Sequence, residues 1–314
     1  MIERTPSILL VSNLEDFTTD YVAALCKDRN CDYFRINSED IVQNRFTYIP
    51  LEKTIIANDE TVIDLRQVRS IYFRRAPSQF PAGEPTEDDS FLFRERREFL
   101  EGLLMSLDAR WMNPIAETIL GERKIRQLSL AKSIGLRIPK TLATNDSKLA
   151  RDFIDSTGKV IAKPVSHGFL QGSSTSYSIY TNEIKPADLD KTLPLMEAPM
   201  LMQEMVPNKA DIRVTLVGEE VFSASIIKED TSAVDWRRPE GKKVYESHTL
   251  PQALSECLLL LNRRMGLIYS AIDLILTPDE EYVFLEVNPV GEWLWLELEL
   301  GLPISDRILR HLMR

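Results

Sequence analysis

Apolar positions along the first hundred residues change pattern every dozen or so positions. Residues 7–12 (SILLVS) hold a continuous apolar run, as in a strand covered on both faces; 16–29 follow with helical spacing, and 32–36 (DYFRI) return to a short run. That order predicts a βαβ opening. Residues 69–74 (RSIYFR) read as a third strand and 77–90 (PSQFPAGEPTEDDS) as loop, from their Pro, Gly and acidic content. A helix over 91–109 is predicted from the stripe Phe99, Leu100, Leu103, Leu104 and Leu107.

Asn113 and Pro114 break the pattern, and a domain boundary is placed there. Beyond it Ile125, Leu128, Ala131 and Ile134 recur at helical spacing, with Gly135 as the stop. RIPKTLAT (137–144) and GKVIAKP (158–164) read as strands, SHGFLQGSSTS (166–176) as a polar loop. The last third is β-rich: DIRVTLV (211–217), EVFSASIIK (220–228), and a hairpin of 268–276 with 282–288 across the turn TPDEE. In the second hairpin strand, simple alternation puts Phe284, Glu286 and Asn288 on one face and Val283, Leu285 and Val287 on the other. The expected fold class is α/β, in three domains: 1–112, 113–202 and 203–314.

Composition narrows the function. A length of 314 residues with 44% hydrophobic and 27% charged residues is that of an ordinary globular protein. No window approaches the roughly 18 apolar residues of a membrane span, so the expectation is no membrane partner, no export signal and a cytoplasmic location. Cys26, Cys31 and Cys257 have neither an even count nor metal-ligand spacing, and are read as reduced thiols. The net charge of −10 argues against a general nucleic-acid binder. Two basic clusters stand out, FRRAP (73–77) and DWRRPEGKK (235–243); each is a solvated face or a local anion site.

Three segments carry polar groups where apolar ones are expected. Asp273 interrupts the apolar IYSAIDLIL, and Glu286 and Asn288 sit on its hairpin partner. Buried carboxylates need a counter-charge, and two carboxylates with a carboxamide are hard oxygen donors of the kind Mg²⁺ takes. The alternative is a strand-end carboxylate paired with an arginine or facing water. Lys163 ends the strand VIAK just before the Gly/Ser-rich loop, where a lysine and backbone N–H groups can hold phosphate; no GxxxxGK[ST] motif is present. MLMQEMVPNKADIRV (200–214) runs from a strand ending in Gln203 and Glu204 through a Pro-containing link to Asp211 and Arg213, as a nucleotide hinge or any interdomain connection would.

In this order the three segments resemble the ATP-grasp superfamily over roughly residues 113–314. The resemblance implies a three-domain fold in which an N-terminal α/β (pre-ATP-grasp) domain precedes two α+β domains that clasp ATP. It implies that Lys124 and Lys163 contact phosphate, that Gln203, Glu204 and Val206 form the adenine hinge, and that Asp211 contacts ribose. Asp273, Glu286 and Asn288 would hold Mg²⁺, two ions being expected with Glu286 bridging them. Lys163 and Arg213 are the implied catalytic side chains, Arg213 for the charge developing on phosphoryl or acyl oxygens. Lys228 stands where related ligases often carry an arginine.

DIRVT, VDWRRP, FLEVNPVGEWLWLELELGLPI and YFRRAP narrow the resemblance to the microviridin-type, graspetide-forming ligases. That family implies ATP-dependent macrocyclisation of a ribosomally made precursor peptide, with side chains of Asp or Glu joined to Ser/Thr hydroxyls or Lys amines, commonly by a homodimer. Arg237 and Arg238, with Lys242 and Lys243, are then candidates for drawing in the peptide's carboxylates, as are Arg74 and Arg75. The alternative is an ATP-grasp amino-acid ligase acting on a protein C-terminus or a small metabolite.

Overall fold

The run Ile8–Ser12 is buried at every residue because it is an interior strand of a parallel sheet. The computed structural model describes residues 2–74, 87–166, 169–171, 176–178, 181–189, 197–228 and 242–314. These fall into two compact units. The first comprises residues 1–119, 266–269 and 289–314; the second comprises 120–265 and 270–288. The residues from 289 onward, expected with the β-rich third, thus belong to the first unit.

In chain order the first unit contains Ile2–Arg4 (β1), Ile8–Ser12 (β2), Phe17–Asp28 (α1), Tyr33–Asn37 (β3), Arg45–Ile49 (β4), Lys53–Ala57 (β5) and Thr61–Asp64 (β6). Ser70–Phe73 (β7), Glu87–Met105 (α2) and Arg110–Trp111 (β8) follow, and Ile115–Gly121 (α3) runs across the boundary into the second unit. One sheet, β3-β2-β7-β8, is parallel throughout, and the predicted βαβ opening is its first unit; the other runs β1-β6-β5-β4. Leu9, Val11, Ile36, Ile71 and Phe73 from the parallel sheet meet Ile56 and Ile63 from the other and Leu100 and Leu104 from α2 in one core. Asp16 caps α1, accepting from the N–H groups of Thr18 and Thr19.

The second unit holds Lys124–Ser133 (α4), Thr141–Thr144 (β9), Ser147–Thr157 (α5), Val160–Lys163 (β10), Phe169–Gln171 (β11), Ser176–Ser178 (β12), Asn182–Ile184 (β13), Pro186–Leu189 (α6) and Met200–Glu204 (β14). Ala210–Val217 (β15), Glu220–Lys228 (β16), Lys243–Ser247 (β17), Gln252–Met265 (α7), Tyr269–Leu276 (β18) and Tyr282–Asn288 (β19) complete it. Its sheets are β13-β10-β14-β9 and the five-stranded β17-β16-β15-β18-β19, with β11-β12 as a separate pair. In the five-stranded sheet β15 and β18 are buried at all eight of their residues, so any charge on them is in a dry environment. The chain ends in the first unit with Leu294–Leu300 (α8) and Ile304–Leu312 (α9).

Several expectations are corrected. Helix α2 starts at Glu87 and stops at Met105, earlier at both ends than 91–109, and residues 75–86 of the expected loop lie outside the described residues. The polar stretch 166–176 contains β11 and leads into β12, paired antiparallel; Phe169 and Tyr177 are residue types that favour extended backbone. Simple alternation fails in β19. Asp273 stands opposite Glu286 but the next pair is Leu274 with Phe284, so Leu285 is an extra residue and the strand bulges there. The bulge turns Phe284 to the face opposite Glu286, and both Val283 and Phe284 are buried at 1% exposure.

Candidate active site

The five-stranded sheet of the second unit brings the charged strand residues together. Arg213 is the fourth residue of β15, and Asp273 the fifth of the adjacent β18. Arg213 Nη1 donates to both carboxylate oxygens of Asp273, at 2.8 and 3.0 Å, with both side chains at most a tenth exposed. A buried carboxylate requires such a partner, since desolvation otherwise costs several kcal/mol, of the order expected for a bare ion. On the other side of Asp273 is β19, where Glu286 is its cross-strand partner and Asn288 Nδ2 donates to Asp273 Oδ2 at 3.2 Å. The hairpin register therefore sets Asp273, Glu286 and Asn288 on one face, as expected, although Phe284 does not share it.

Helix α4 adds a cation. Lys124, its first residue, lies with Nζ 4.0 Å from Glu286 Oε2 and donates to the carbonyls of Pro164 and Ser166 at 3.1 and 3.4 Å. It thus links the carboxylate face to the end of β10, whose last residue is Lys163. Lys163 is half-buried and stands opposite Leu201 of β14.

The hinge residues divide. Glu204 ends β14; its N–H donates to Lys140 O and its Oε2 accepts from Lys140 N at 3.2 Å, while Met205 N–H donates to Lys159 O. Val206 is half-buried just beyond. Gln203 is fully buried, with Nε2 donating to Thr141 Oγ1 at 3.0 Å. Asp211 is 5% exposed; Lys228 Nζ lies 3.0 Å from its Oδ2, and Asn208 Nδ2 donates to its Oδ1. Lys228 thus lies against Asp211 across the β15–β16 pair.

Of the residues expected to meet the peptide, Arg75, Arg237 and Arg238 lie outside the described residues. Arg74 is in the first unit and 3% exposed. Its Nε pairs with Asp16 at 3.1 Å, Nη2 with Glu292 at 2.7 Å, and Nη1 donates to Gly291 O. The expectation of an open peptide-binding side chain is corrected by this burial; Arg74 is an internal anchor for the segment at 291–292. Burial opposes its charge, but the surrounding Tyr72, Glu292 and Asp16 prevail and hold its pKa above the ordinary arginine value.

Sequence reasoning passed over Gln127, which is 2% exposed on α4 and hydrogen-bonded to the backbone of Val287, between Glu286 and Asn288. A polar residue beside Leu128 in a helical stripe carried no sign of this. Among the described residues no group of three or more His, Cys, Asp and Glu side chains converges as a metal site. The candidate donors are two carboxylates and a carboxamide. Their hard oxygen chemistry, and their placement on one face of a hairpin beside two cations, fits Mg²⁺ carrying waters and phosphate oxygens.

A family model described as the RimK-like ATP-grasp domain matches residues 121–312. No curated protein matches the chain. Among solved structures, macrocyclase MdnC of Microcystis aeruginosa MRC, bound with precursor peptide MdnA, is 29% identical with a TM-score of 0.87 over 98% of this chain and 99% of its own. Macrocyclase MdnB of the same organism is 31% identical, TM-score 0.82, over 98% and 99%. A Chryseobacterium gregarium RiPP-associated ATP-grasp ligase, in complex with ADP and a leader and core peptide, is 26% identical, TM-score 0.86, over 100% and 97%.

Proposed function

Because this chain belongs to the RimK-like ATP-grasp family, we propose that it is a macrocyclising ligase that joins side chains within a ribosomally made precursor peptide. It is an ATP-grasp carboxylate ligase with the multi-domain mixed α/β fold of that family. The observation that carries the finer reading is the near full-length likeness to two macrocyclases, at 29% and 31% identity.

In the proposed reaction an Asp or Glu carboxylate oxygen of the peptide attacks the γ-phosphorus of ATP. The new O–P bond forms as the bond to the β-phosphate oxygen breaks, and ADP leaves. A Ser/Thr hydroxyl or Lys amine then attacks the acyl carbon; the C–O bond to phosphate breaks, and the nucleophile's proton passes to phosphate or solvent. Such phosphoryl transfer depends on positioning and charge compensation more than on protein nucleophiles. Lys124 and Lys163 offset phosphate charge, and Arg213 stabilises negative charge on the transferred or acyl oxygens. Glu204 and Val206 border the adenine, and Asp211, held by Lys228 and Asn208, faces the ribose. Mg²⁺, two ions in the full reading, would be held by Asp273, Glu286 and Asn288 and would supply charge neutralisation on the phosphoryl oxygens. The proposed substrate has an Asp/Glu-rich core, for which Arg237 and Arg238 provide countercharge; the working assembly is proposed to be a homodimer.

Incubation with an acidic precursor peptide and Mg-ATP tests this. The expected result is peptide-dependent ADP release and a product lighter by one water per ring. A product heavier by an added amino acid would replace the macrocyclase by the amino-acid ligase.

A further inference from the structure

Among the described residues strand β19 is an edge of the five-stranded sheet, so its outer N–H and C=O groups face no neighbouring strand there. At Val287 a side chain takes that place. Gln127 Nε2 donates to Val287 O at 2.7 Å and to Gly121 O at 2.6 Å, while Gln127 Oε1 accepts from Val287 N at 3.0 Å. Two carbonyl acceptors on one side and one N–H donor on the other fix which way the amide points.

The two backbone groups that Gln127 holds belong to two peptide units. The Val287 N–H is part of the unit joining Glu286 to Val287, and the Val287 carbonyl is part of the unit joining Val287 to Asn288. Fixing both planes fixes the backbone from which Glu286 and Asn288 project, and Val287 itself is buried at 2% on the opposite face. The same helix carries Lys124 one turn earlier, 4.0 Å from Glu286. The bulge at Leu285 makes this grip consequential, because regular strand pairing is interrupted immediately before Glu286.

We propose that Gln127 is a positioning residue that sets the orientation of Glu286 and Asn288 for divalent-cation binding. It acts through Val287 and touches neither cation nor nucleotide. This rests on the reading of Asp273, Glu286 and Asn288 as the cation site. Outer groups that orient metal ligands typically account for 10- to 100-fold in affinity.

The test is Mn²⁺ binding, followed by electron paramagnetic resonance with a non-hydrolysable ATP analogue present, so no turnover is involved. Gln127→Met keeps the bulk and removes all three hydrogen bonds; Gln127→Glu keeps the shape and the acceptor but loses both donations. Each is expected to weaken Mn²⁺ binding about 10-fold or more, with metal-free nucleotide affinity unchanged. Ser223→Ala removes another side-chain-to-backbone bond in the same unit, to His248 O at 2.6 Å, and is expected to leave Mn²⁺ affinity as in the parent. Folded Gln127→Met or Gln127→Glu protein with parental Mn²⁺ affinity overturns the proposal, as does an equal loss in Ser223→Ala. Glu286→Gln and Asn288→Ala are measured alongside: if they too bind Mn²⁺ normally, the cation-site reading itself has failed.

Discussion

Arg213 and Asp273 form a buried ion pair between neighbouring strands, one guanidinium nitrogen reaching both carboxylate oxygens at 2.8 and 3.0 Å. Each side chain serves as the counter-charge that allows the other to be buried. Arg213→Ala is therefore predicted to destabilise the fold by about 3–5 kcal/mol, since it takes the guanidinium away from the buried Asp273 carboxylate. The double variant Arg213→Met/Asp273→Leu is predicted to recover most of that loss while releasing no ADP. Urea midpoints and an ADP-release assay on the three proteins check both statements; a double variant as unstable as Arg213→Ala would contradict them.

Glu286 lies in the same cluster, with Lys124 Nζ 4.0 Å from its Oε2. Glu286→Gln is expected to fold normally and to lower ADP release by about 10²-fold, as when one transition-state electrostatic partner is removed. ADP production at the parental rate would remove Glu286 from the proposed cation site.

In the first unit, Asp16 is held by Arg74 and by the hydroxyls of Ser12 and Thr19. Burial alone would raise its pKa, yet the Arg74 charge and these hydrogen bonds outweigh burial and hold it below the ordinary value of 3.8. A carboxyl lowered by folding stabilises the native state above its unfolded pKa, and that contribution disappears as pH falls from about 3.8 through the folded value. Thermal unfolding from pH 6 to pH 2 is predicted to show a steeper loss of stability below pH 4 in the parent than in Asp16→Asn. Parallel curves would mean that Asp16 carries no such linkage.

Gly266 has φ of +73°, and a Cβ added there would stand 2.6 Å from Glu117 Cγ. Gly266→Ala is predicted to cost more than about 1 kcal/mol, from left-handed backbone and from this clash. Adding Glu117→Ala should relieve the clash and leave the backbone cost. A double-variant cycle by chemical denaturation separates the two, and simple additivity would show that Glu117 moves aside without penalty.

Much of this was legible before the structure, for a physical reason: β2, β15 and β18 are covered on both faces, so their apolar runs stand out, and charges inside such runs are conspicuous. Asp273 and Arg213 were visible in that way, although their pairing was not, because sequence does not reveal which strands neighbour each other. The bulge at Leu285 escaped because an extra residue in an apolar strand leaves no compositional trace. Strands β4, β5 and β6 were passed over because their residues are largely half-buried or exposed and their apolar signal is weak. Arg74 looked like a surface cation beside Arg75; its burial depends on Asp16 and Glu292, 58 and 218 positions away.

The path of the chain between the units also sets an order in time. Ribosomes deliver residues 1–119 first, yet the first unit needs 289–314 to be complete. Trp293, with no exposed surface, donates to Tyr72; Ser70 donates to the carbonyl of Leu312; Arg74 holds Glu292. The second unit can therefore emerge whole while the earlier one still lacks part of its interior. During synthesis residues 1–119 therefore wait with that interior incomplete until residues 289–314 have been made.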